Sequence, residues 1–151
     1  MKYWLMKSEP DVFSIDDLAK KKQSGWDGVR NYQARNYMRT MHLGDQILFY
    51  HSNAKPSGIA GVAKVCKTNL PDPTQFDPKS EYYDAKATKA APIWFMVEVQ
   101  YVEKFPHLLP LEMLKSEKAL ARMRLVQKGS RLSVMPVEES EWRHILQLAK
   151  A

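Results

Sequence analysis

Trp94-Phe95-Met96-Val97-Glu98-Val99-Gln100-Tyr101-Val102-Glu103-Lys104-Phe105 is the longest strand pattern in the chain. Phe95, Val97, Val99 and Tyr101 alternate with Met96, Glu98 and Gln100, so one face packs on a core and the other is wetter. Upstream, residues 59 to 67 read as a second strand, whose Ala60, Gly61 and Ala63 predict close packing or a sharp bend. Between the two, residues 68 to 92 carry Pro71, Pro73, Pro78 and Pro92 and read as one long loop, functional or mobile. Residues 46 to 51 and 2 to 7 give two more strands, the latter closed by Ser8-Glu9-Pro10. Ser14, with Asp17 three residues on, predicts a capped helix carrying Ile15, Leu18 and Ala19, and the pattern from Gln33 to Met41 predicts another. Downstream, residues 111 to 124 read as one or two short helices and residues 131 to 134 as a closing strand. Trp142, Ile145, Leu146 and Ala149 stripe a last helix from Glu138. Five or six short strands, unevenly interspersed with helices, argue against a doubly wound parallel sheet. They predict an α+β fold, a small mixed sheet or partly closed barrel with peripheral helices, in one domain over residues 1 to 151.

Composition narrows the function classes. The net charge is +6 and the pI about 9.4, which favours an anionic partner, nucleic acid first. Lys20, Lys21 and Lys22 end a predicted helix, where cations complement its dipole. Arg30, Arg35 and Arg39 form one further group, and Arg122, Arg124, Lys128 and Arg131 another. The single cysteine, Cys66, excludes an internal disulfide and a multi-cysteine zinc site. The apolar run near the N-terminus, Tyr3 to Met6, is far too short for a signal peptide or a membrane span, so a soluble cytoplasmic protein is expected.

One stretch is too polar for core and too rich in recognition groups for a connector: Trp26-Asp27-Gly28-Val29-Arg30-Asn31-Tyr32-Gln33-Ala34-Arg35-Asn36. Trp26 and Tyr32 offer flat apolar faces, Asp27, Asn31, Gln33 and Asn36 offer hydrogen bonds, and Arg30 and Arg35 offer planar cationic forks. Together these are the groups that hold a nucleobase and its phosphates. The stretch crosses a loop-to-helix junction, where free amides favour an anion. Trp26, flanked by Gly25, Asp27 and Gly28, reads as a loop platform.

Catalytic and metal signals are sparse. Gly58-Ile59-Ala60-Gly61 lacks the spacing and lysine of a phosphate-binding loop, and no serine sits in a nucleophile elbow. His42, His51, His107 and His144 are scattered, so no metal or cofactor is expected. Glu9, Asp27, His51 and Asp84 are the acid–base candidates of an alternative enzymatic reading, on nucleic acid or a nucleotide. A binder of a free small molecule is a further alternative.

Lys7-Ser8-Glu9-Pro10, the stretch from Trp26 to Asn36, and Phe49-Tyr50-His51-Ser52-Asn53 resemble the EVE domain family. Tyr82-Tyr83-Asp84, Trp94-Phe95-Met96-Val97 and Gly129-Ser130-Arg131-Leu132-Ser133-Val134 extend the resemblance over essentially the whole chain. It implies a PUA-like bent barrel and kinship with YTH domains, which hold a methylated adenine in an aromatic cage. By that kinship Lys7-Ser8-Glu9 resembles the strand end that addresses the base edge, Trp26 a cage wall and Asp27 its neighbour. The expected function is non-catalytic binding of DNA or RNA by a monomer that reads a modified base. The expected base pocket is Ser8, Glu9, Trp26, Asp27, Tyr32, His51, Ser52 and Tyr82, and the expected backbone contacts are Arg30, Asn31, Gln33, Arg35, Asn36 and Arg131. On this reading Trp26→Ala removes base discrimination and leaves the chain folded.

Overall fold

The computed structural model describes all 151 residues. The chain begins with β1 (Tyr3–Ser8) and α1 (Ile15–Lys21). Ser14 caps α1 as the sequence predicts: its hydroxyl accepts from the Asp17 amide at 3.1 Å while the Asp17 carboxylate accepts from the Ser14 amide at 2.9 Å. A short strand, β2 (Gln23–Gly25), follows where the sequence shows only a connector, too short for alternation to mark it. α2 (Tyr32–Arg39) is capped by Asn31, and β3 (Gln46–His51) has the predicted bounds.

β4 (Gly58–Pro71) and β5 (Phe95–Pro110) are longer than their patterns suggest, at 14 and 16 residues. Their pairing shifts register repeatedly, so bulges break the alternation that would mark the outer thirds of each strand. The small residues of β4 serve close approach. A Cβ on Gly58 would stand 2.2 Å from the Leu109 carbonyl oxygen, and one on Gly61 would stand 2.3 Å from that of Glu103. After β5 come α3 (Leu111–Ser116) and two single 3-10 turns. β6 (Val134–Val137) starts where the predicted closing strand ends, and α4 (Glu139–Lys150) completes the chain. Pro136 lies within β6, tolerated because β6 is an edge strand.

The six strands form one mixed sheet in the order β2-β5-β4-β3-β1-β6, with β1 parallel to β3 and every other pair antiparallel. The count is the upper of the two expected. The sheet stays open, with β2 and β6 as unpaired edges. Both faces are covered. Trp4, Met6, Ile47, Phe49, Val97 and Val99 pack with Ile15 and Leu18 of α1 and Ala34 and Met38 of α2. Leu5, Leu48, Ile59, Val62 and Phe105 pack on the other side with Leu114, Trp142 and Ile145. No helix is long and apolar enough to cross a membrane.

Candidate functional site

A cleft of about 940 Å³ opens at one end of the sheet. The end of β1 supplies Lys7 and Ser8, and the turn beyond it supplies Glu9, Val12 and Phe13. The chain leaving β2 supplies Trp26 to Arg30, and Ser52 and Asn53 follow β3. Tyr82 comes from the long loop, and Ser130, Arg131 and Ser133 precede β6. Parallel pairing of β1 with β3 sets Ser8 opposite His51 and so brings the two strand ends to the same rim.

The geometry divides the 26 to 36 stretch in an unexpected place. Arg30 uses all five of its N–H donors inside the protein. Nε and Nη2 donate to the Tyr82 carbonyl at 3.1 and 2.8 Å, Nη2 also to the Thr74 hydroxyl at 2.9 Å, and Nη1 to the Val29 carbonyl at 2.9 Å and to Asp72 at 3.0 Å. No donor is left for a phosphate, so its expected role as a clamp gives way to a structural one. Asp72, 1% exposed, also accepts from the Gly28 amide at 2.8 Å and from the Thr74 amide and hydroxyl at 2.8 and 2.6 Å. Burial works against its charge, but these hydrogen bonds outweigh it and hold its pKa below the ordinary carboxylate value. Gly28 must be glycine here: its φ is +80°, and a Cβ would meet the Tyr82 ring at 2.8 Å. Gln75, fully buried, binds the Asp72 and Trp94 carbonyls and the Ile93 and Trp94 amides. The long loop is therefore pinned rather than mobile at the end nearest the site.

Of the other expected pocket residues, Ser8, Glu9, Trp26, Asp27, Ser52 and Tyr82 line the cleft, as does Arg131. Trp26 is not an open platform. It is 7% exposed, packs edge-to-face on Phe49 at 5.3 Å, and presents only a margin of its ring. Its amide donates to the Val97 carbonyl at 2.9 Å, which fixes it to the sheet. Tyr32 lies outside the cleft and stacks on Trp94 instead. Asn31 caps α2 through the Ala34 amide, Gln33 reaches the Tyr37 hydroxyl, and Arg35 bonds Asn36 and the Ile93 carbonyl. All four of Asn31, Gln33, Arg35 and Asn36 sit away from the cleft: α2 turns the last three outward, and the cap bond to the Ala34 amide engages Asn31.

His51 is also outside the cleft. Its Nε2 accepts from the Ile15 amide at 3.1 Å, a bond only the neutral ring makes. Burial holds its pKa below the ordinary 6.5. A depressed histidine contributes stability that is complete above pH 6.5 and lost as pH falls through the folded value. Urea melts of the wild type should thus show a falling midpoint on acidification below neutrality. His51→Gln, whose amide oxygen still accepts, should flatten that fall, and parallel curves for the two proteins would refute the assignment.

The cleft's charges are unevenly answered. Asp27 is pushed above the ordinary carboxylate value by burial and by its neighbour Asp72, against the pull of Arg30 and Lys21. No ion pair holds it, and none holds Lys7, Lys21 or Arg131, all of which line the cleft. Burial lowers the pKa of Lys7. The sequence reading reaches Lys7 only through the family resemblance and misses Phe13. Their signal is position: Lys7 adjoins Ser8 at the end of β1, and Phe13 lies in the turn that follows. The Ser8 hydroxyl donates to the Phe13 carbonyl at 2.7 Å, which ties that turn down. No group of three or more His, Cys, Asp or Glu side chains is placed to hold a metal ion.

The pattern described as the EVE domain matches residues 2–148. The chain belongs to the EVE domain family. Thymocyte nuclear protein 1 of Mus musculus is 46% identical over 165 residues, covering 97% of this chain and 73% of that protein. An EVE-like fold is also seen in a Pseudomonas syringae protein, whose crystal structure superposes with a TM-score of 0.95 at 54% identity, covering 97% of this chain and 99% of that one. A human THYN1 structure in complex with 5-methylcytosine-containing DNA superposes with a TM-score of 0.94 at 41% identity, covering 100% of this chain and 99% of that one.

Proposed function

We propose that this EVE domain is a non-catalytic nucleic-acid-binding protein that takes a modified base into the cleft. The observation that carries the reading is a cleft of base-accommodating size that sets three cations without ion pairs, Lys7, Lys21 and Arg131, around three carboxylates also without ion pairs, Glu9, Asp27 and Glu81. The similarity to the human THYN1 protein bound to 5-methylcytosine-containing DNA supports it. A base entering the cleft stacks on Tyr82 and Phe13, with the margin of Trp26 below. Ionised Asp27 accepts from an exocyclic amino group such as that of cytosine. Ser8 and Glu9 line the same edge. With Arg30 committed internally, phosphate contacts fall to Lys7, Lys21 and Arg131.

The magnitudes assign the work. Flipping a base from a duplex costs a few kcal/mol, and stacking returns about 1–3 kcal/mol. A buried methyl adds about 0.8 kcal/mol, roughly fourfold in affinity. Stacking and flipping nearly cancel, so phosphate contacts carry the affinity and the methyl only tunes it. Fluorescence anisotropy with a single strand carrying 5-methylcytosine, against its unmodified twin, tests this. Three phosphate contacts on a single strand give a slope of log affinity against log salt near about −2. Binding should also weaken as pH falls toward the raised pKa of Asp27, because the protonated acid loses its charge and accepts from the amino group only as a weaker, neutral partner. Asp27→Asn should remove that pH dependence. Salt-independent binding of a free nucleoside would point instead to a small-molecule binder. Turnover of a labelled strand, lost in Glu9→Gln, would point to an enzyme.

A further inference from the structure

Arginine and aromatic planes continue outward from the cleft wall. The Arg30 guanidinium carbon lies 5.4 Å from the centre of the Tyr82 ring and 5.1 Å from that of Trp94. Trp94 stacks on Tyr32 at 4.9 Å with the planes 26° apart. Arg35 lies 4.9 Å from Tyr32 and 5.8 Å from Trp94. Those last three distances make a nearly equilateral triangle. A guanidinium covering the outer face of Tyr32 would stand about twice the stacking distance from Trp94, so Arg35 flanks the stack. The outer face of Tyr32 is left open, and the residue is 59% exposed.

This surface has uncompensated charge. Arg35 bonds only neutral acceptors, the Ile93 carbonyl and Asn36. Arg39 sits 4.1 Å over the Phe95 ring and makes no ion pair. α2 carries no acidic residue. A flat ring backed by a second ring, with free positive charge at its edge, suits a nucleobase with an attached phosphate.

We infer that Tyr32 is an outer stacking platform for a second base of the bound strand, with Arg35 and Arg39 meeting the adjacent phosphate. The base in the cleft and the base on Tyr32 are then read on opposite sides of one rigid ladder, Tyr82–Arg30–Trp94–Tyr32. The strand's path, though not the platform itself, rests on the cleft reading. Single-stranded oligonucleotides long enough to reach both places test it, with wild type, Tyr32→Ala, Tyr32→Phe and Tyr82→Ala compared by anisotropy. Tyr32→Ala should weaken binding about 5- to 100-fold, the loss of one stacked base. Tyr32→Phe, which keeps the ring, should bind within about twofold of wild type. Wild-type binding by Tyr32→Ala, alongside loss in Tyr82→Ala, overturns the platform and leaves the cleft standing. Loss in Tyr32→Ala with Tyr82→Ala unaffected supports the platform and refutes the cleft. Equal loss in Tyr32→Phe and Tyr32→Ala makes the hydroxyl decisive and overturns stacking. Displacement of the oligonucleotide by an acidic peptide of equal net charge, at equal concentration, also overturns it, since charge alone would then suffice.

Discussion

Asp72→Ala is expected to lower the unfolding free energy by about 3 kcal/mol, the lower end of the range for breaking a buried ion pair. The lower end applies because the Arg30 side chain is 21% exposed and can turn its freed guanidinium toward water. The remaining loss has no such outlet. The Gly28 amide and the Thr74 amide and hydroxyl all donate to the Asp72 carboxylate, and each loses its acceptor in the alanine variant. Asp72→Asn keeps one acceptor oxygen and should fall between wild type and alanine in a urea melt. The sign with pH follows from the depressed pKa. The carboxylate's contribution is present above the unfolded value of 3.8 and lost as pH falls through the folded one, so Asp72→Ala should lose less stability than wild type over that acid range. Arg30→Lys should share the instability, since an ammonium cannot make five directed bonds. It should leave the salt slope of nucleic-acid binding unchanged, because Arg30 has no donor to give a phosphate. A variant with wild-type stability and a shallower slope would restore Arg30 as a clamp.

What the sequence discloses and what it conceals follow one physical line. Local signals survive folding. Ser14 and Asp17 cap α1 because both partners of that box lie within one turn. The strand over Gln46–His51 keeps its bounds because its continuous apolar run, Ile47 to Tyr50, is closed by polar residues at both ends. The small residues of β4 mean close approach, and Gly58 and Gly61 sit against carbonyl oxygens of β5. Partners chosen across long separations are not legible. Arg30 meets Asp72 from 42 residues away, and nothing in either residue's neighbourhood names the other. Asp72 does have a local signature, an acid between Pro71 and Pro73 that caps a 3-10 turn. That signature predicts a turn, not a buried anchor. Similarly, Asn31 reads as a recognition amide and as a helix cap, and the structure selects the cap. The candidate site is thus legible at its strand ends, where the pleat fixes neighbours, and illegible where a helix turns residues outward.

Trp26→Ala is expected to cost about 3–5 kcal/mol, as for other large-to-small core substitutions. This reverses the expectation that the chain stays folded. The flanking glycines that suggest a loop instead let the main chain dock beside β5, where the Trp26 amide reaches Val97 and the ring falls onto Phe49. Alanine at this position therefore removes core and cleft wall together, and a loss of binding in that variant would say nothing about base recognition. The separable substitution is Tyr82→Ala. Tyr82 is half-buried, and its carbonyl, rather than its ring, carries the bonds to Arg30. Tyr82→Ala should then weaken oligonucleotide binding about 5- to 100-fold at nearly unchanged melting temperature. Trp26→Phe, which keeps an aromatic ring on Phe49, should stay folded and move binding less than Tyr82→Ala does. If Trp26→Ala instead keeps the wild-type melt and loses base discrimination, the ring must leave Phe49 when ligand enters, and the cleft would be formed by its ligand rather than ready for it.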